Sequence, residues 1–304
     1  MSFPVQIPFL SKGDLVYITA PAKSIEREAV DHARRVFEEN GYRVRISEHC
    51  TGVHHYFSGT EEERMRDLQA GIDDPEVKAI VCARGGYGCV QIMDSIKWAG
   101  MLTQPKWLVG FSDVTFFHQH LQFLGLPSLH ATMPLNYATN STEALDTMFA
   151  ALEGRTYTVK STVHHLDRYG EVSGKLIGGN LSILYSMLGA KDRPDYSGCI
   201  LFIEDLCEYI YHVDRMLQAF RRSGILEQIS GLIVGGMTEM NDTAVPFGKG
   251  IEALIIDLLQ YKKIPVCFGF PAGHIDDNRA LILGSATTLR VDEKGAEITF
   301  HSNR

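Results

Sequence analysis

The sequence predicts an α/β fold, in which an N-terminal parallel, doubly wound sheet domain precedes a C-terminal mixed α+β domain rich in β structure. Three observations support this prediction. The length of 304 residues corresponds to about two domains. Short apolar runs alternate with helical segments in the first half of the chain, which is typical of a parallel sheet covered on both faces. Beyond residue 139 this order gives way to short strands, one of which alternates polar and apolar residues.

In the N-terminal half, each predicted element has a local signal. Strands are expected at apolar runs, and helices between them: strands at 14–19, 42–47, 77–83 and 107–111, helices at 24–40, 60–71 and 113–124. Ser24 is expected to cap the first helix, because serine accepts a hydrogen bond from the free N–H groups of a helix start. Gly41 is expected to end that helix. Thr60 and Glu63 have the spacing of a capping box, which opens the second helix.

In the C-terminal half, helices and strands are expected in a less regular order. Helices are predicted at 142–152, 180–188, 212–223 and 250–261, and strands at 157–163, 174–177, 199–203 and 232–234, with three short strands at the end. We therefore predict an N-terminal domain at 1–150, a linker at 151–165 and a C-terminal domain at 166–304.

Composition argues against several classes of protein. Apolar residues make up 45% of the chain and charged residues 22%, as in ordinary globular proteins. The net charge of −8 disfavours binding to a nucleic-acid backbone, and no apolar run approaches the roughly 18 residues of a membrane-spanning helix. The N-terminus lacks the pattern of a signal peptide, and the six cysteines include no Cys-x-x-Cys pair. These features predict a cytoplasmic protein with reduced thiols and no nucleic-acid or membrane partner.

A first candidate for chemistry is Ser112, which follows the predicted strand at 107–111 and precedes a helix. A serine on such a tight turn presents its hydroxyl beyond the sheet, and the next residue, Asp113, can donate its backbone N–H to an oxyanion. The usual hydrolase turn is Gly-x-Ser-x-Gly, and Val114 departs from that pattern. A simple helix N-cap is therefore the alternative interpretation of Ser112.

Three further candidates also follow apolar runs. The backbone N–H groups of the glycine-rich loop at 84–88 can approach a ligand oxygen closely. This loop matches neither a phosphate loop nor the dinucleotide fingerprint, so a simple turn is the alternative. Glu204 directly follows the run at 199–203, and His274 lies in a loop after another run. Taken alone, Glu204 is better explained as a helix cap or as part of a solvated acidic turn, and His274 as a surface histidine.

The order of the candidates along the chain adds to the evidence. Ser112, Glu204 and His274 have the order nucleophile, acid and base that occurs in Ser…Asp/Glu…His hydrolases. Glu208 is an alternative acid, but Glu204 lies closer to the carboxyl end of its strand, where ligands bind in α/β sheets. The several histidine pairs lack the spacing of a metal site, so neither a metal nor another cofactor is expected.

Six motifs extend over nearly the whole chain, in the order GDLVYITAPA, ARGGYG, GFSDVT, IGGNLS, LFIED and GFPAGH followed by an asparagine. With these motifs the sequence resembles the L,D-carboxypeptidase family of serine peptidases. The resemblance implies that Ser112 is the nucleophile, that His274 is the base and that Glu204 orients this base. It also implies an oxyanion hole formed by the backbone N–H groups of Gly86 and Asp113.

The resemblance further implies hydrolysis of a murein peptide. Members of this family remove the terminal D-Ala from a cytosolic murein tetrapeptide during peptidoglycan recycling, require no metal and are commonly homodimers. Another branch cleaves the peptide–nucleotide antibiotic microcin C and confers immunity. A non-catalytic ligand-binding protein on the same scaffold is a third interpretation. Arg84 is expected to bind a substrate anion or, alternatively, to hold the glycine-rich loop in place.

Overall fold

The fold is that of a computed structural model, which describes residues 6–301. The strands are β1 (Leu15–Thr19), β2 (Arg43–Ile46), β3 (Val77–Cys82), β4 (Trp107–Gly110), β5 (Ser128–His130), β6 (Tyr157–Ser161), β7 (Gly170–Asn180), β8 (Ile200–Leu206), β9 (Gly231–Thr238), β10 (Val266–Cys267), β11 (Leu281–Leu283), β12 (Ala286–Asp292) and β13 (Gly295–Phe300). The helices are α1 (Arg27–Glu39), α2 (Glu61–Asp73), α3 (Cys89–Met93), α4 (Ala99–Thr103), α5 (Thr115–Phe123), α6 (Thr142–Glu153), α7 (Leu181–Ser186), α8 (Ile210–Arg222), α9 (Ile225–Gln228) and α10 (Ile251–Leu258). The expectation about a signal peptide partly concerns residues 1–5, which lie outside the described residues.

The N-terminal part of the chain forms a six-stranded sheet with the order β11-β5-β4-β3-β1-β2. Strands β1 to β5 pair in parallel, because each is connected to the next through a helix. Every residue of β1 and β4 is buried, and separate apolar clusters cover the two faces of the sheet. The predicted doubly wound parallel sheet is confirmed.

The C-terminal part forms a seven-stranded sheet with the order β10-β9-β8-β7-β12-β13-β6. Strands β7 to β10 pair in parallel, whereas β12, β13 and β6 extend the sheet through antiparallel pairs. The long strand β7 joins the two regions, because residues 170–175 pair with β12 and residues 176–180 pair with β8. This mixed sheet confirms the predicted class of the C-terminal half.

Two features of the structure concern the predicted domain boundaries. The segment 151–165, predicted as a linker, contains the end of α6 and the whole of β6, which pairs with β13. In addition, β11 comes from the predicted C-terminal domain but completes the N-terminal sheet by pairing antiparallel with β5. Both pairings join residues that lie far apart in the chain, so no local signal indicates them.

The first helix also differs from the prediction. Helix α1 begins at Arg27, after Glu26, and Ser24 does not cap it. The reason is a bridge between Lys23 and Phe57, which keeps the backbone extended in this region and delays the start of the helix. The capping box of the second helix is confirmed, with both reciprocal hydrogen bonds present.

The two sheets meet where α5 packs against the end of β7. Gln119 Nε2 donates to the Gly178 carbonyl oxygen over 3.2 Å, and Thr115 Oγ1 accepts from the backbone N–H of Asn180 over 3.1 Å. Gly179 has a φ of +139°, and a Cβ at this position would lie 2.6 Å from the Thr115 hydroxyl, so glycine permits the close approach. Since α5 follows β4 and β7 pairs with β8, this contact brings the ends of β4 and β8 together.

Candidate active site

Ser112 lies on a strained turn between β4 and α5. Its φ is +63°, in the left-handed region that residues other than glycine rarely occupy. Holding such a residue there costs about 1–3 kcal/mol of conformational free energy. Helix α5 begins after Val114 without a side-chain cap, so the N-cap interpretation of Ser112 is wrong. A strained serine at the carboxyl end of a parallel strand is the arrangement that presents a nucleophile.

A buried histidine holds this turn from inside the protein. His118 Nε2 lies 2.8 Å from the Gly110 carbonyl oxygen, and His118 Nδ1 lies 2.8 Å from Ser128 Oγ. A carbonyl can only accept, so Nε2 carries the proton and Nδ1 accepts from the serine hydroxyl. Burial lowers the pKa of His118 to about 4, against the opposing effect of the hydrogen bond to Gly110. The neutral ring therefore fixes the backbone two residues before Ser112, a role that sequence analysis missed.

The glycine-rich loop is in direct contact with this serine. A Cβ on Gly85 would lie 3.1 Å from Ser112 Oγ and 3.2 Å from the backbone nitrogen of Asp113. Glycine therefore permits the close approach of this loop to the serine turn. The buried Asp113 carboxylate accepts from the backbone N–H of Cys89 over 2.8 Å. Burial raises the pKa of Asp113, and the hydrogen bond from Cys89 opposes this rise. Gly86, the proposed donor, is exposed at a φ of +106°.

Glu204 and His274 form a close pair on the C-terminal sheet. Glu204 Oε2 lies 2.6 Å from His274 Nδ1 and 3.2 Å from the His274 backbone nitrogen. The glutamate is fully buried at the end of β8, and the histidine side chain is largely buried. Burial lowers the pKa of His274, but the charge of Glu204, the hydrogen bond to it and the charge of Asp205 together raise that pKa. The imidazole thus donates from Nδ1 and leaves Nε2 available.

The loop around His274 is built to fit this carboxylate. Gly273 has a φ of +105°, and a Cβ there would lie 2.6 Å from the Cβ of Glu204. The backbone N–H of Gly273 donates to Asn278 Oδ1 over 2.8 Å. Glycine is therefore required for the close approach of the loop to the strand. The asparagine that closes the sixth motif fixes the loop conformation.

The two halves of the site converge at Phe111. Phe111 directly precedes Ser112 in the sequence. The centroid of its ring lies 4.8 Å from the centroid of the His274 ring, in an edge-on contact. Among the described residues, no hydrogen bond joins Ser112 to His274. Catalytic hydrogen bonds are often long before substrate binds. The structure thus brings the predicted nucleophile, base and acid to one junction between the sheets.

Asp205 and Asn180 also belong to this junction; the sequence shows Asp205 as a second carboxylate next to Glu204, whereas it gave no indication of a role for Asn180. The buried Asp205 carboxylate accepts from Asn180 Nδ2 over 2.9 Å and from the backbone N–H of Ser182 over 2.8 Å. Burial and the neighbouring charge of Glu204 raise the pKa of Asp205 to about 6, against the effect of its hydrogen bonds. Both residues belong to quoted motifs, but only the fold brings these motifs together.

Two other candidates have different partners. Arg84 is half-buried and donates from Nη1 to the carbonyl oxygen of Ser24 over 3.0 Å, so it holds the chain next to the glycine-rich loop. Glu208 Oε2 lies 3.1 Å from Nδ1 of His212, one turn along. Since Glu208 is paired with His212, the geometry favours Glu204 as the carboxylate that orients His274.

Within residues 6–301, no group of three His, Cys, Asp or Glu side chains could hold a metal ion. In the same range, no helix is both long enough and apolar enough to cross a membrane. All six cysteines are free; five of them are buried and Cys207 is exposed.

The fold and the site define a two-sheet α/β protein with a strained serine beside a histidine–carboxylate pair. Comparison with protein families matches residues 16–131 to the LD-carboxypeptidase N-terminal domain and residues 173–289 to the LD-carboxypeptidase C-terminal domain. The chain therefore belongs to the LD-carboxypeptidase family and is a serine-type peptidase that acts on a peptide. The resemblance drawn from the six motifs is confirmed.

Two relatives illustrate the similarity over the full length. The chain is 32% identical to the probable murein peptide carboxypeptidase of Bacillus subtilis over 301 residues, which cover 95% of this chain and 92% of the relative. It is 30% identical to the murein tetrapeptide carboxypeptidase of Pseudomonas aeruginosa over 293 residues, which cover 90% of this chain and 92% of the relative.

Solved structures support the fold. The muramoyltetrapeptide carboxypeptidase from Oxalobacter formigenes superposes with a TM-score of 0.85 at 28% identity, covering 94% of this chain and 98% of that one. The microcin C7 self-immunity protein MccF, solved with aspartyl sulfamoyl adenosine, gives a TM-score of 0.85 at 21% identity and covers 98% of both chains. At that identity the second similarity concerns the fold alone.

Proposed function

We propose that this protein is a serine carboxypeptidase that releases the terminal D-Ala from a cytosolic murein tetrapeptide. One observation carries the proposal: Glu204 Oε2 lies 2.6 Å from His274 Nδ1, beside the strained turn of Ser112. A nucleophile, a base and a carboxylate that orients the base are the groups that acyl transfer requires.

The reaction proceeds in two halves. His274 Nε2 takes the proton of the Ser112 hydroxyl while the serine oxygen attacks the carbonyl carbon of the diamino acid. The tetrahedral intermediate then collapses, His274 gives the proton to the amine of D-Ala, and an acyl-enzyme remains. Water, deprotonated by the same nitrogen, attacks the ester and releases the tripeptide. Glu204 keeps the proton on Nδ1 throughout and stabilises the imidazolium form.

The oxyanion of each intermediate is held by the backbone N–H groups of Asp113 and Gly86. The close approach of Gly85 to the serine turn supports this assignment, because a Cβ on Gly85 would lie 2.9 Å from Ser112 Cβ and 3.2 Å from the Asp113 backbone nitrogen. Each donor in such a hole lowers the barrier by about 2.7–4 kcal/mol. The Asp113 side chain accepts a hydrogen bond from the backbone N–H of Cys89 and thereby holds the end of the glycine-rich loop against the serine turn.

The substrate is inferred from the relatives and from charge. Two relatives at 30% and 32% identity are named for murein peptides, and a murein tetrapeptide with its terminal carboxylate is an anion at neutral pH. Arg84 contributes positive potential next to the glycine-rich loop, although its guanidinium also holds the carbonyl of Ser24. The reaction belongs to peptidoglycan recycling in the cytoplasm, and we propose that the enzyme works as a homodimer.

A second candidate is an immunity peptidase that cleaves a peptide–nucleotide antibiotic of the microcin C type. MccF has the same fold, with a TM-score of 0.85, but its identity to this chain is 21%, against 30% or more for the murein relatives. A non-catalytic binding protein is disfavoured by the energetic cost of the Ser112 conformation and by the buried pair beside it.

Mass spectrometry of the purified protein with murein tetrapeptide and pentapeptide tests the proposal. We expect the tetrapeptide to lose one D-Ala and the pentapeptide to remain intact, with Ser112→Ala as the inactive control. If the tetrapeptide also remains intact while a microcin-type peptide–nucleotide conjugate is cleaved, the second candidate replaces the first. Cleavage of neither substrate contradicts both.

A further inference from the structure

Lys23 is a fixed, unneutralised cation beside the glycine-rich loop. Its Nζ lies 4.7 Å from the centroid of the Tyr56 ring, and within residues 6–301 it forms no ion pair with a carboxylate. Its backbone N–H donates to the Gly85 carbonyl oxygen over 3.4 Å, and its bridge to Phe57 fixes the strand-like conformation. A lysine held in this way, on the face of an aromatic ring, keeps its charge available for an anion.

Lys23 and Tyr56 lie beside Gly86 of the glycine-rich loop, whereas Ser112 lies beside Gly85. A Cβ on Gly86 would lie 3.0 Å from the Cβ of Lys23, 3.4 Å from its Cδ and 3.2 Å from the Tyr56 hydroxyl. Gly85, the preceding residue, is the one in contact with Ser112. Consecutive Cα atoms are about 3.8 Å apart, so the side chains of Lys23 and Tyr56 line the loop at the residue next to the one that contacts the serine.

The substrate requires an anion-binding group close to the serine. In a peptide that ends one residue after the scissile bond, the terminal carboxylate lies one residue step from the carbonyl carbon that Ser112 attacks. We propose that the Lys23 ammonium and the Tyr56 hydroxyl bind this terminal carboxylate, and thereby restrict the enzyme to the last residue of a peptide. The inference rests on the proposed function, because it concerns the same serine and the same bond.

Arg84 has a supporting part in this arrangement. Its guanidinium donates to the carbonyl oxygen of Ser24, the residue next to Lys23. It therefore positions the segment that carries the ammonium, while its own charge adds to the positive potential. The three ammonium protons and the phenolic proton provide the donors that a carboxylate with two oxygens accepts.

Two substrates that differ only in their C-terminal group, a carboxylate or an amide, test the proposal. One is the murein tetrapeptide with its free terminal carboxylate, and the other carries the terminal amide. We expect the wild-type enzyme to prefer the acid by about 10- to 100-fold in kcat/KM, the range of charge-assisted hydrogen bonds. Lys23→Gln should reduce this preference to less than about threefold, whereas Lys23→Arg, which keeps the charge, should retain most of it.

Controls separate binding from folding. Lys160→Gln removes an exposed lysine on β6 at the far edge of the second sheet and should leave the preference unchanged. Tyr56→Phe removes one donor without removing the ring, and we expect it to lower the preference by about threefold to tenfold; this variant decides the matter if Lys23→Gln does not fold.

Two results overturn the inference. One is a Lys23→Gln enzyme that keeps the wild-type preference for the acid. The other is an equal loss on both substrates, which would make Lys23 a structural residue only. A wild-type enzyme that cleaves neither substrate instead refutes the proposed function, and the two failures are therefore distinguishable.

Discussion

Replacing Glu204 by glutamine is the sharpest test of the proposed catalytic roles. The carboxylate accepts from His274 through one oxygen, Oε2, which lies 2.6 Å from Nδ1 and 3.2 Å from the backbone nitrogen. The other oxygen is buried without a hydrogen-bond partner among the described residues. A glutamine must place its NH₂ group at one of these two positions, and neither offers it a well-satisfied site.

Both orientations of the glutamine side chain impair the base. If the NH₂ group faces Nδ1, that nitrogen becomes the acceptor, Nε2 carries the proton, and the ring cannot deprotonate Ser112. If the amide oxygen faces Nδ1, the NH₂ group is buried without an acceptor, and the charge that stabilises the imidazolium is lost. Loss of the equivalent carboxylate in other triads lowers kcat by about 10⁴, and we expect a similar loss for Glu204→Gln.

The pH profile gives a second readout of the same variant. His274 must be neutral to act as a base, and the charge of Glu204 raises its pKa above the ordinary value of 6.5 against the effect of burial. The wild-type rate should therefore rise with pH through a midpoint above 6.5. Without the negative charge of Glu204, the effect of burial remains, and burial lowers the pKa of His274. The residual activity of Glu204→Gln should therefore rise with pH through a lower midpoint than that of the wild type.

The assay is release of D-Ala from murein tetrapeptide, measured by chromatography and mass spectrometry between pH 5 and 9. Glu208→Gln is the matched control, because Glu208 pairs with His212, away from His274, and its effect should be confined mainly to KM. The reasoning is refuted if Glu208→Gln is the inactive enzyme and Glu204→Gln keeps more than about a tenth of the wild-type kcat.

Three further predictions concern the nucleophile, metals and stability. Ser112→Ala should lower kcat by about 10⁴ to 10⁶ with an unchanged circular dichroism spectrum; activity within tenfold of wild type would exclude it as the nucleophile. Incubation with EDTA followed by dialysis should leave the rate nearly unchanged, and a loss that zinc restores would contradict a serine mechanism. The pKa of Asp205 is raised from 3.8 to about 6 in the folded state, so its contribution to stability is full below 3.8 and is lost as pH rises through 6. Urea unfolding of wild type and Asp205→Asn across this range should show a steeper decline for the wild type, and parallel curves would contradict the shift.

Local signals predicted the parts of the molecule that are built from neighbouring residues. The capping box at Thr60 and the apolar runs of the first sheet depend on contacts within a few residues or on simple burial, and they are found where expected. The pairing of β6 with β13 and the pairing of β11 with β5 each join segments more than a hundred residues apart. Sequence periodicity gives the type of such a strand but not the sheet that it joins.

The same distinction applies to the site. Ser112, Glu204 and His274 stand out because each follows an apolar strand, and the structure brings all three to one junction. His118 gave no such signal, because its role depends on a carbonyl and a hydroxyl that only the fold brings to its two nitrogens. Lys23 was not indicated by any sequence pattern either, since its position beside Tyr56 depends on a bridge between distant segments.

Asn180 explains how groups from two sheets can work as one site. Its backbone N–H donates to Thr115 on the helix that follows Ser112, and its side-chain NH₂ donates to Asp205, next to Glu204. One residue therefore connects the helix of the nucleophile with the strand of the acid. The connection is short because Gly179 lets the backbone approach Thr115. A side chain at that glycine would collide with Thr115 and shift the helix of the nucleophile relative to the strand of the acid. The position of the serine hydroxyl relative to the imidazole would then change while each half of the site remained intact.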